Sequence, residues 1–453
     1  MVAVPRQPIE VGVQTRARSL TLFVLLLTYA FGFVDRTIVL TLGEALKTDL
    51  DLSDRQLGFL GGTTFAVSYT LLTLPIARMA ERRSRTTILA VCVGLWSLMT
   101  AACGLAQNFA QLVLARVGVG VGEAGGQPAT HSMIADMYPP SQRGMATAVF
   151  QLGVPIGILA GALAGGWITQ HVGWRAAFVL VGAPGIVLAL ALKFLVSEPA
   201  RGASEAAPPA DALAERAPSL SAVVERLGRS GVFVHVFIGA LLCGLASNGI
   251  AQFEHPFFLR SFDLGYARAA LIFGLLQSMS LGLGIMLGGF ACDRLGARNP
   301  RLQAFVPALC VVLGGPFNAI GFHQTAWEPA AAAIFAGSLL GAVYFSPIYT
   351  ITHGLLEPRM RATGAAVLTV GLGLISIGLG PLLAGVTSDL FAGLAYAGGD
   401  YAERCNAAAA HAPACRAAAG TGLRYAMVLW SLIPVWGGLH LFLAGRGIGR
   451  RNA

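Results

Sequence analysis

The sequence predicts an all-α membrane protein, with twelve transmembrane helices in two pseudo-symmetric six-helix bundles. Three observations predict it. Charged residues make up only 12% of the 453-residue chain, about half the usual share of a soluble domain, and 55% of residues are hydrophobic. Stretches 86–105, 150–170 and 364–388 carry no charge at all. Each is long enough to cross a ~30 Å hydrocarbon layer, which takes about 20 helical residues. Short motifs also recur at matching places in the two halves.

The expected spans are 20–43, 56–80, 86–105, 108–137, 144–170, 174–197, 231–259, 267–291, 303–322, 328–355, 362–390 and 422–444. Charges interrupt the first, fourth and seventh. The first follows Arg6, Arg16 and Arg18, and its apolar run is too long for the core of a cleavable signal. The fifth carries Gly153, Gly157, Gly161 and Gly165 around Pro155, and the eleventh repeats the theme with Gly371, Gly378, Gly385 and Gly380-Pro381. Such stripes let helices approach closely, either as fixed packing or as smooth seams along which the halves rock. Between the sixth and seventh spans the chain turns polar, with Glu198-Pro199, Pro208-Pro209 and Pro218. That composition reads as a linker, with a short amphipathic helix near Leu220–Leu227. The domain division is therefore a bundle at 1–197, a cytoplasmic linker at 198–230 and a second bundle at 231–453.

The net charge of +9 does not point to nucleic acid. With the N-terminus in the cytoplasm and twelve crossings, the cytoplasmic side collects 21 of the 31 Lys and Arg residues, counting Lys193, and the outer side eight. Arg36 and Arg116 fall inside helices. The asymmetry follows the positive-inside rule and places a multi-pass protein in the cell inner membrane, both termini cytoplasmic. Of seven cysteines, only Cys405 and Cys415 share a loop, as a disulfide or as two free thiols. Metal-ligand spacings, a P-loop and paired nucleophile–base motifs are absent, so no cofactor or metal is expected and the chain is not read as an enzyme.

Two echoes tie the halves together. Residues Ala77-Arg78-Met79-Ala80-Glu81-Arg82-Arg83-Ser84-Arg85 follow the second span, and Gly289-Phe290-Ala291-Cys292-Asp293-Arg294 runs out of the eighth. Both set an acid four residues after a small residue, then Arg. Pro140-Ser141-Gln142-Arg143-Gly144 after the fourth span loosely matches Pro358-Arg359-Met360-Arg361-Ala362 after the tenth. Internal repeats are common in secondary transporters, with the substrate path between them. These features resemble the major facilitator superfamily over nearly the whole chain. The resemblance implies that Glu81, Arg85, Arg143, Asp293, Arg294 and Arg361 belong to a cytoplasmic gate. Ala77 and Glu81 stand where the family pattern has Gly and Asp.

Asp35 and Arg36 interrupt the first span, and Arg116 and Glu123 the fourth. A charge at mid-bilayer depth costs about 2.5–3.5 kcal/mol on insertion scales, so these four must be compensated. They sum to zero, which makes mutual pairing available. Arg116, Gly120, Glu123 and Gln127 share one helix face, expected to point to a central cavity. Asp35 and Glu123 are the candidate proton-coupling pair; a static ion-pair network that fixes packing is the competing reading. Val34-Asp35-Arg36, Arg116 to Glu123 and Gly125-Gly126-Gln127-Pro128-Ala129 resemble the spinster branch of the superfamily. That resemblance implies a lipid-type substrate, of the sphingosine-1-phosphate or lysophospholipid kind, and proton coupling. Gly32-Phe33 departs from the Asn-Tyr that the branch often shows.

The expected function is alternating-access secondary transport of an amphipathic substrate by a monomer, coupled to protons and surrounded by membrane lipids. Arg36, Arg116, Gln127, Phe33, Asn248, Gln252 and Tyr344 are the candidate substrate contacts and charge partners. Glu254 and His255 are either headgroup contacts or ordinary residues near the outer mouth. Export of other amphipathic molecules or carboxylates is the nearest alternative. A lipid-modifying membrane enzyme or a non-transporting receptor are alternatives from other classes.

Overall fold

The computed structural model describes residues 8–202, 204, 219–405 and 412–448. Pro208, Pro209 and Pro218 of the expected linker lie outside the described residues, as does the side chain of Arg16 and all of Arg6. The described chain is helical, without strands. In chain order the helices are α1 (Pro8–Leu50), α2 (Asp54–Arg82), α3 (Arg85–Cys103), α4 (Phe109–Glu123) and α5 (Gly126–Met137). These are followed by α6 (Ser141–His171), α7 (Trp174–Leu195), the short α8 (Leu220–Gly228), α9 (Gly231–Phe262) and α10 (Tyr266–Gly296). The chain closes with α11 (Leu302–His323), α12 (Trp327–Gly354), α13 (Thr363–Ala395), the single turn α14 (Tyr401–Arg404) and α15 (Pro413–Gly447).

Eleven of these are long and apolar enough to cross a membrane. The expected fourth span is the exception, because it is two helices rather than one. Pro128 has no N–H to give the carbonyl of Ala124, so the hydrogen-bond ladder fails where Gly125 and Gly126 also favour a break. The tenth span bends in the same manner between Ala342 and Phe345, with Pro347 four residues after Val343. The eleventh loosens into a π-turn at Gly373–Ile377, and the second does so at Phe59–Thr63. The seventh span is slightly longer than expected, since α9 carries on past residue 259 to Phe262. The short helix expected near Leu220–Leu227 is α8, capped by the Ser219 hydroxyl and burying Val223 and Leu227.

Large apolar side chains cover the outside: Leu71, Val91, Phe194 and Leu394 are each at least 65% exposed. Water would not tolerate that surface, whereas hydrocarbon does. The buried apolar residues fall into three clusters. One spans both halves, joining Leu42, Leu52, Leu57 and Trp174 to Phe253, Phe257, Leu423 and Trp430. The other two stay apart, one within the first bundle around Leu25, Val93, Met133 and Phe150, the other within the second around Val236, Tyr344, Ile348 and α8. The bundles are thus fused at the end bearing Leu52 and Phe257, and hold separate cores at the end bearing the linker.

The glycine stripe of α6 packs within its own bundle. A Cβ on Gly157 would lie 2.6 Å from Phe33 Cβ, and one on Gly161 would lie 2.9 Å from Val34 Cα, both on α1. The stripe therefore seats α6 on α1 rather than forming a seam between halves. The contact between halves uses other small residues: Ala162 against Gly274 of α10, and Gly58 of α2 against the Pro381–Leu382 backbone of α13. Gly378 and Gly385 of the eleventh span also face α2, while Gly371 faces Phe237 of α9.

Candidate substrate cavity and its gates

The spacing of α1 puts Tyr29, Gly32, Phe33 and Arg36 on one face, at i, i+3, i+4 and i+7. That face lines a cavity in the first bundle with Thr28, Tyr69, Trp96, Glu123, Gly126, Gln127, Thr130 and Phe150. The cavity holds about 370 Å³ of empty space, part of it open solvent. Arg36 reaches Glu123 Oε2 with both Nε (2.7 Å) and Nη2 (2.6 Å). Its guanidinium also lies over the rings of Phe65, Phe33 and Tyr69, at 4.5, 5.0 and 5.3 Å. Cation–π attraction and a carboxylate thus share one cation in a partly desolvated site. Gln127 donates to Tyr29 Oη (2.8 Å), and Tyr69 Oη donates to Gln127 Oε1 (3.4 Å). Glu123 Oε1 is buried without a hydrogen-bond partner.

Asp35 and Arg116 do not line this cavity. Asp35 is fully buried; its charged neighbours are Glu123, Arg116 and Arg36, and the Thr100 side chain lies beside it. Arg116 is buried about two turns before Glu123, close to Asp35 and Cys103. The four charges therefore sit together, as one close ion pair at the cavity wall and a second acid–Arg set behind it. Gly120, between them in sequence, is turned to Ser68 and Phe65 of α2.

The candidates from the second bundle lie elsewhere. Asn248 bonds back to the Gly244 carbonyl (2.8 Å). Gln252 is buried against Gly61 of α2, its amide atoms unpartnered. Tyr344 is buried in the apolar core near α8. Glu254 and His255 are fully buried rather than interfacial. Gln277 of α10 donates to Glu254, and a ring nitrogen of His255 lies 3.4 Å from the Tyr266 carbonyl.

At the linker end the predicted gate residues separate into two kinds. Arg85 is 1% exposed and bonds to Asp136, Glu198 Oε1 (2.8 Å), Ser132 Oγ (2.8 Å) and the Pro199 carbonyl (2.7 Å). Glu198 in turn accepts from the Thr86 N–H (2.9 Å) and the Ser84 hydroxyl (2.9 Å) at the start of α3. Burial works against the charged form of Glu198, yet these donors outweigh it and hold the carboxyl at about 2. Arg201 closes the same knot by bonding to carbonyls of Ala80, Glu81 and Arg83 at the end of α2. Arg143 bonds to the Ala135 carbonyl (2.8 Å). The Glu81 side chain is exposed, as are Asp293 and Arg294, and Arg294 lies over Phe290 (5.3 Å). Arg361 bonds to the His353 carbonyl (3.2 Å).

The fused end carries a cluster that sequence reasoning missed. Arg260 of α9 grips Asp54 through two bonds (2.7 and 2.8 Å) and Glu44 Oε2 through two more (2.7 and 2.9 Å). Asp54 also binds Lys47 (2.6 Å) and the Ser388 hydroxyl (2.6 Å). Asp389 of α13 accepts the N–H groups of Asp54 (3.1 Å) and Arg55 (2.8 Å), capping α2 from the other bundle. Ending the first span at 43 and opening the second at 56 assigned Glu44, Lys47 and Asp54 to a loop, which hid them. Cys405 and Cys415 are bridged at this end, with Cα atoms 5.5 Å apart.

Two helix bundles joined by a linker, with a charged cavity inside an apolar exterior, define a transporter-class membrane protein. Residues 25–381 match the Major Facilitator Superfamily model, so the chain belongs to that superfamily, in its spinster-like branch. It is a multi-pass membrane transporter and not an enzyme. It is 29% identical over 366 residues to an MFS-type efflux pump of Mycolicibacterium smegmatis, covering 81% of this chain and 83% of that one. It is 26% identical to protein spinster homolog 1 of Xenopus tropicalis, covering 83% and 74%. Among solved structures it is similar to a bacterial homolog of the human lysosomal transporter Spinster, inward-facing and unoccupied. The TM-score there is 0.86 and the identity 31%, covering 95% of this chain and 97% of the other.

Proposed function

We propose that the chain carries an amphipathic, lipid-like molecule across the cell inner membrane by alternating access, coupled to protons. The observation that carries this reading is the Arg36–Glu123 pair in the wall of an open cavity, with Asp35 and Arg116 buried behind it. Glu123 occupies Arg36 while it is ionised. Protonating Glu123 removes its charge and frees Arg36 for an anionic headgroup, such as the phosphate of a lysophospholipid or sphingosine 1-phosphate. Phe33, Tyr69, Trp96 and Phe150 offer the apolar wall that a tail requires. Asp35 is the second proton acceptor, linked to Glu123 through Arg116 and Arg36. The Asp54–Arg260 cluster shuts the outer side, so the cavity communicates with the cytoplasm, and both termini lie there.

Uptake of a labelled lysophospholipid into proteoliposomes, with and without a pH gradient, tests the reading. Asp35→Asn and Glu123→Gln are expected to abolish the stimulation by the gradient while leaving the protein folded. Unchanged pH-driven uptake in both variants would exclude them from coupling. The relative named as an efflux pump supports a second substrate class, other small amphipathic molecules moved outward. Counterflow of dye-like amphiphiles that outcompete the lysolipid would favour it.

A further inference from the structure

We propose that the second bundle holds a proton-binding site of its own, at the Glu254–Gln277 pair, which is loaded in the conformation described. The site goes beyond the coupling pair of the first bundle. Glu254 sits on α9 with no exposed surface. Gln277 of α10 donates to its Oε2, and its Oε1 has no partner. Among the described residues, the other three fully buried acids each have an arginine beside them: Arg36 for Glu123, Arg116 for Asp35 and Arg260 for Asp54. Glu254 has none.

The groups around it are accounted for. On α9 itself, His255 turns to the Tyr266 carbonyl and the Phe273 ring, and Arg260 is engaged by Asp54 and Glu44. From α10 the facing group is Gln277, and among the described residues no charged group on the other packed helices acts on the carboxyl. An ionised carboxylate without a counter-charge is expensive at such a site, so the group sheds its charge by taking a proton. The proton moves from water to a carboxylate oxygen, one O–H bond forms, and no other reactant is consumed. Gln277 suits both forms, since its amide can present N–H to a carboxylate or its carbonyl to a carboxyl O–H. It is half-buried, which gives the proton a way in and out. Both helices also face the other bundle: Gln252 of α9 lies against Gly61, and Gly274 of α10 against Ala162. Parting of the bundles at this end would rehydrate Glu254 and release the proton.

Infrared difference spectroscopy of the full-length protein in lipid nanodiscs, titrated from mildly acidic to alkaline pH, reads this directly and needs no substrate. Failure of the lipid or coupling reading is therefore distinguishable from failure here. The expected result is a protonated-carboxyl C=O band at neutral pH that persists in Asp35→Asn and in Glu123→Gln and is lost in Glu254→Gln. Gln277→Leu is expected to keep the band but shift its frequency, because the hydrogen bond is gone. An undiminished band in Glu254→Gln, or an unshifted one in Gln277→Leu, would overturn the site.

Discussion

Replacing Arg260 by Met should open the end of the molecule that is now shut. Arg260 is 6% exposed on its side chain, makes two bonds to Asp54 at 2.7 and 2.8 Å, and reaches Glu44 at 2.7 Å. Every one of these bonds crosses from α9 to the first bundle, so they exist only while this end is closed. Removing one partner of a buried ion pair costs about 3–5 kcal/mol, because the other charge stays buried. Lys47 and Ser388 still hold Asp54 at 2.6 Å, so the lower figure, about 3 kcal/mol, applies. At about 1.4 kcal/mol per decade this shifts the closed-to-open ratio at that end roughly 100-fold. A state populated at about 1% would then rise to near half. Spin labels on cysteines at Gln107 and Thr325, exposed on opposite bundles at that end, report it by pulsed dipolar distance measurement. The five unpaired native cysteines are buried or half-buried and compete weakly for label. A second, longer distance population should appear in Arg260→Met and be much smaller in the parent. A melting temperature that falls while the distances stay unchanged would show that the cluster only stabilises the fold, and would refute the reasoning.

Three further outcomes follow from the packing and the charges. Gly58→Ala places a methyl 2.6 Å from a Pro381 backbone atom across the bundles, and overpacking of this kind costs about 1–3 kcal/mol, so the same labelled pair should again show opening. Gly161→Ala crowds Val34 inside one bundle instead, and it should lower the melting temperature without moving that distance distribution. Glu198 is held at about 2, below its ordinary 4.5; its stabilisation is complete above about 4.5 and drains as pH falls towards about 2. Thermal melts across that window should therefore show a steeper acid loss in the parent than in Glu198→Gln, with the two curves converging at the acid end.

Much of the fold was legible because hydrocarbon imposes a coarse rule: helices of about 20 residues with their charges outside. That rule fails where a helix is irregular. Residues 108–137 are apolar enough in bulk to read as one span, and the break at Ala124–Gly125 rests on the missing N–H of Pro128 and on the glycines at 125 and 126. The Arg36–Glu123 pair was legible from two charges in apolar runs. Beyond Phe33 the aromatic wall was not, because Phe65 and Tyr69 come from residues 56–77 of α2, a stretch with no charge to mark it. Arg85 stood out in the sequence as a charge in a repeated loop motif, but its partners Asp136 and Glu198 lie 51 and 113 residues away. Pairings at such separations are fixed by tertiary packing and leave no local pattern. The same holds for Arg260 with Asp54, 206 residues apart.

The distribution of buried charge separates two tasks. Within the first bundle, Arg36, Glu123, Asp35 and Arg116 all come from α1 and α4, which belong to one body, so their spacing need not change when the bundles move. Arg260, Asp54, Ser388 and Asp389 come from both bodies and must part if that end opens. Interactions internal to a body can set affinity and protonation, while interactions between bodies set which end is closed. Coupling then requires something that senses both. Gly157 and Gly161 bring α6 directly onto α1 beside Phe33 and Val34, and Ala162 and Gly166 of the same helix face α10 of the other bundle. The helix that supports Asp35 and Arg36 from behind is thus also a helix on which the bundles meet. A change of charge at the cavity has a packed route of one helix thickness to the interface between the bundles, without any wire of polar groups.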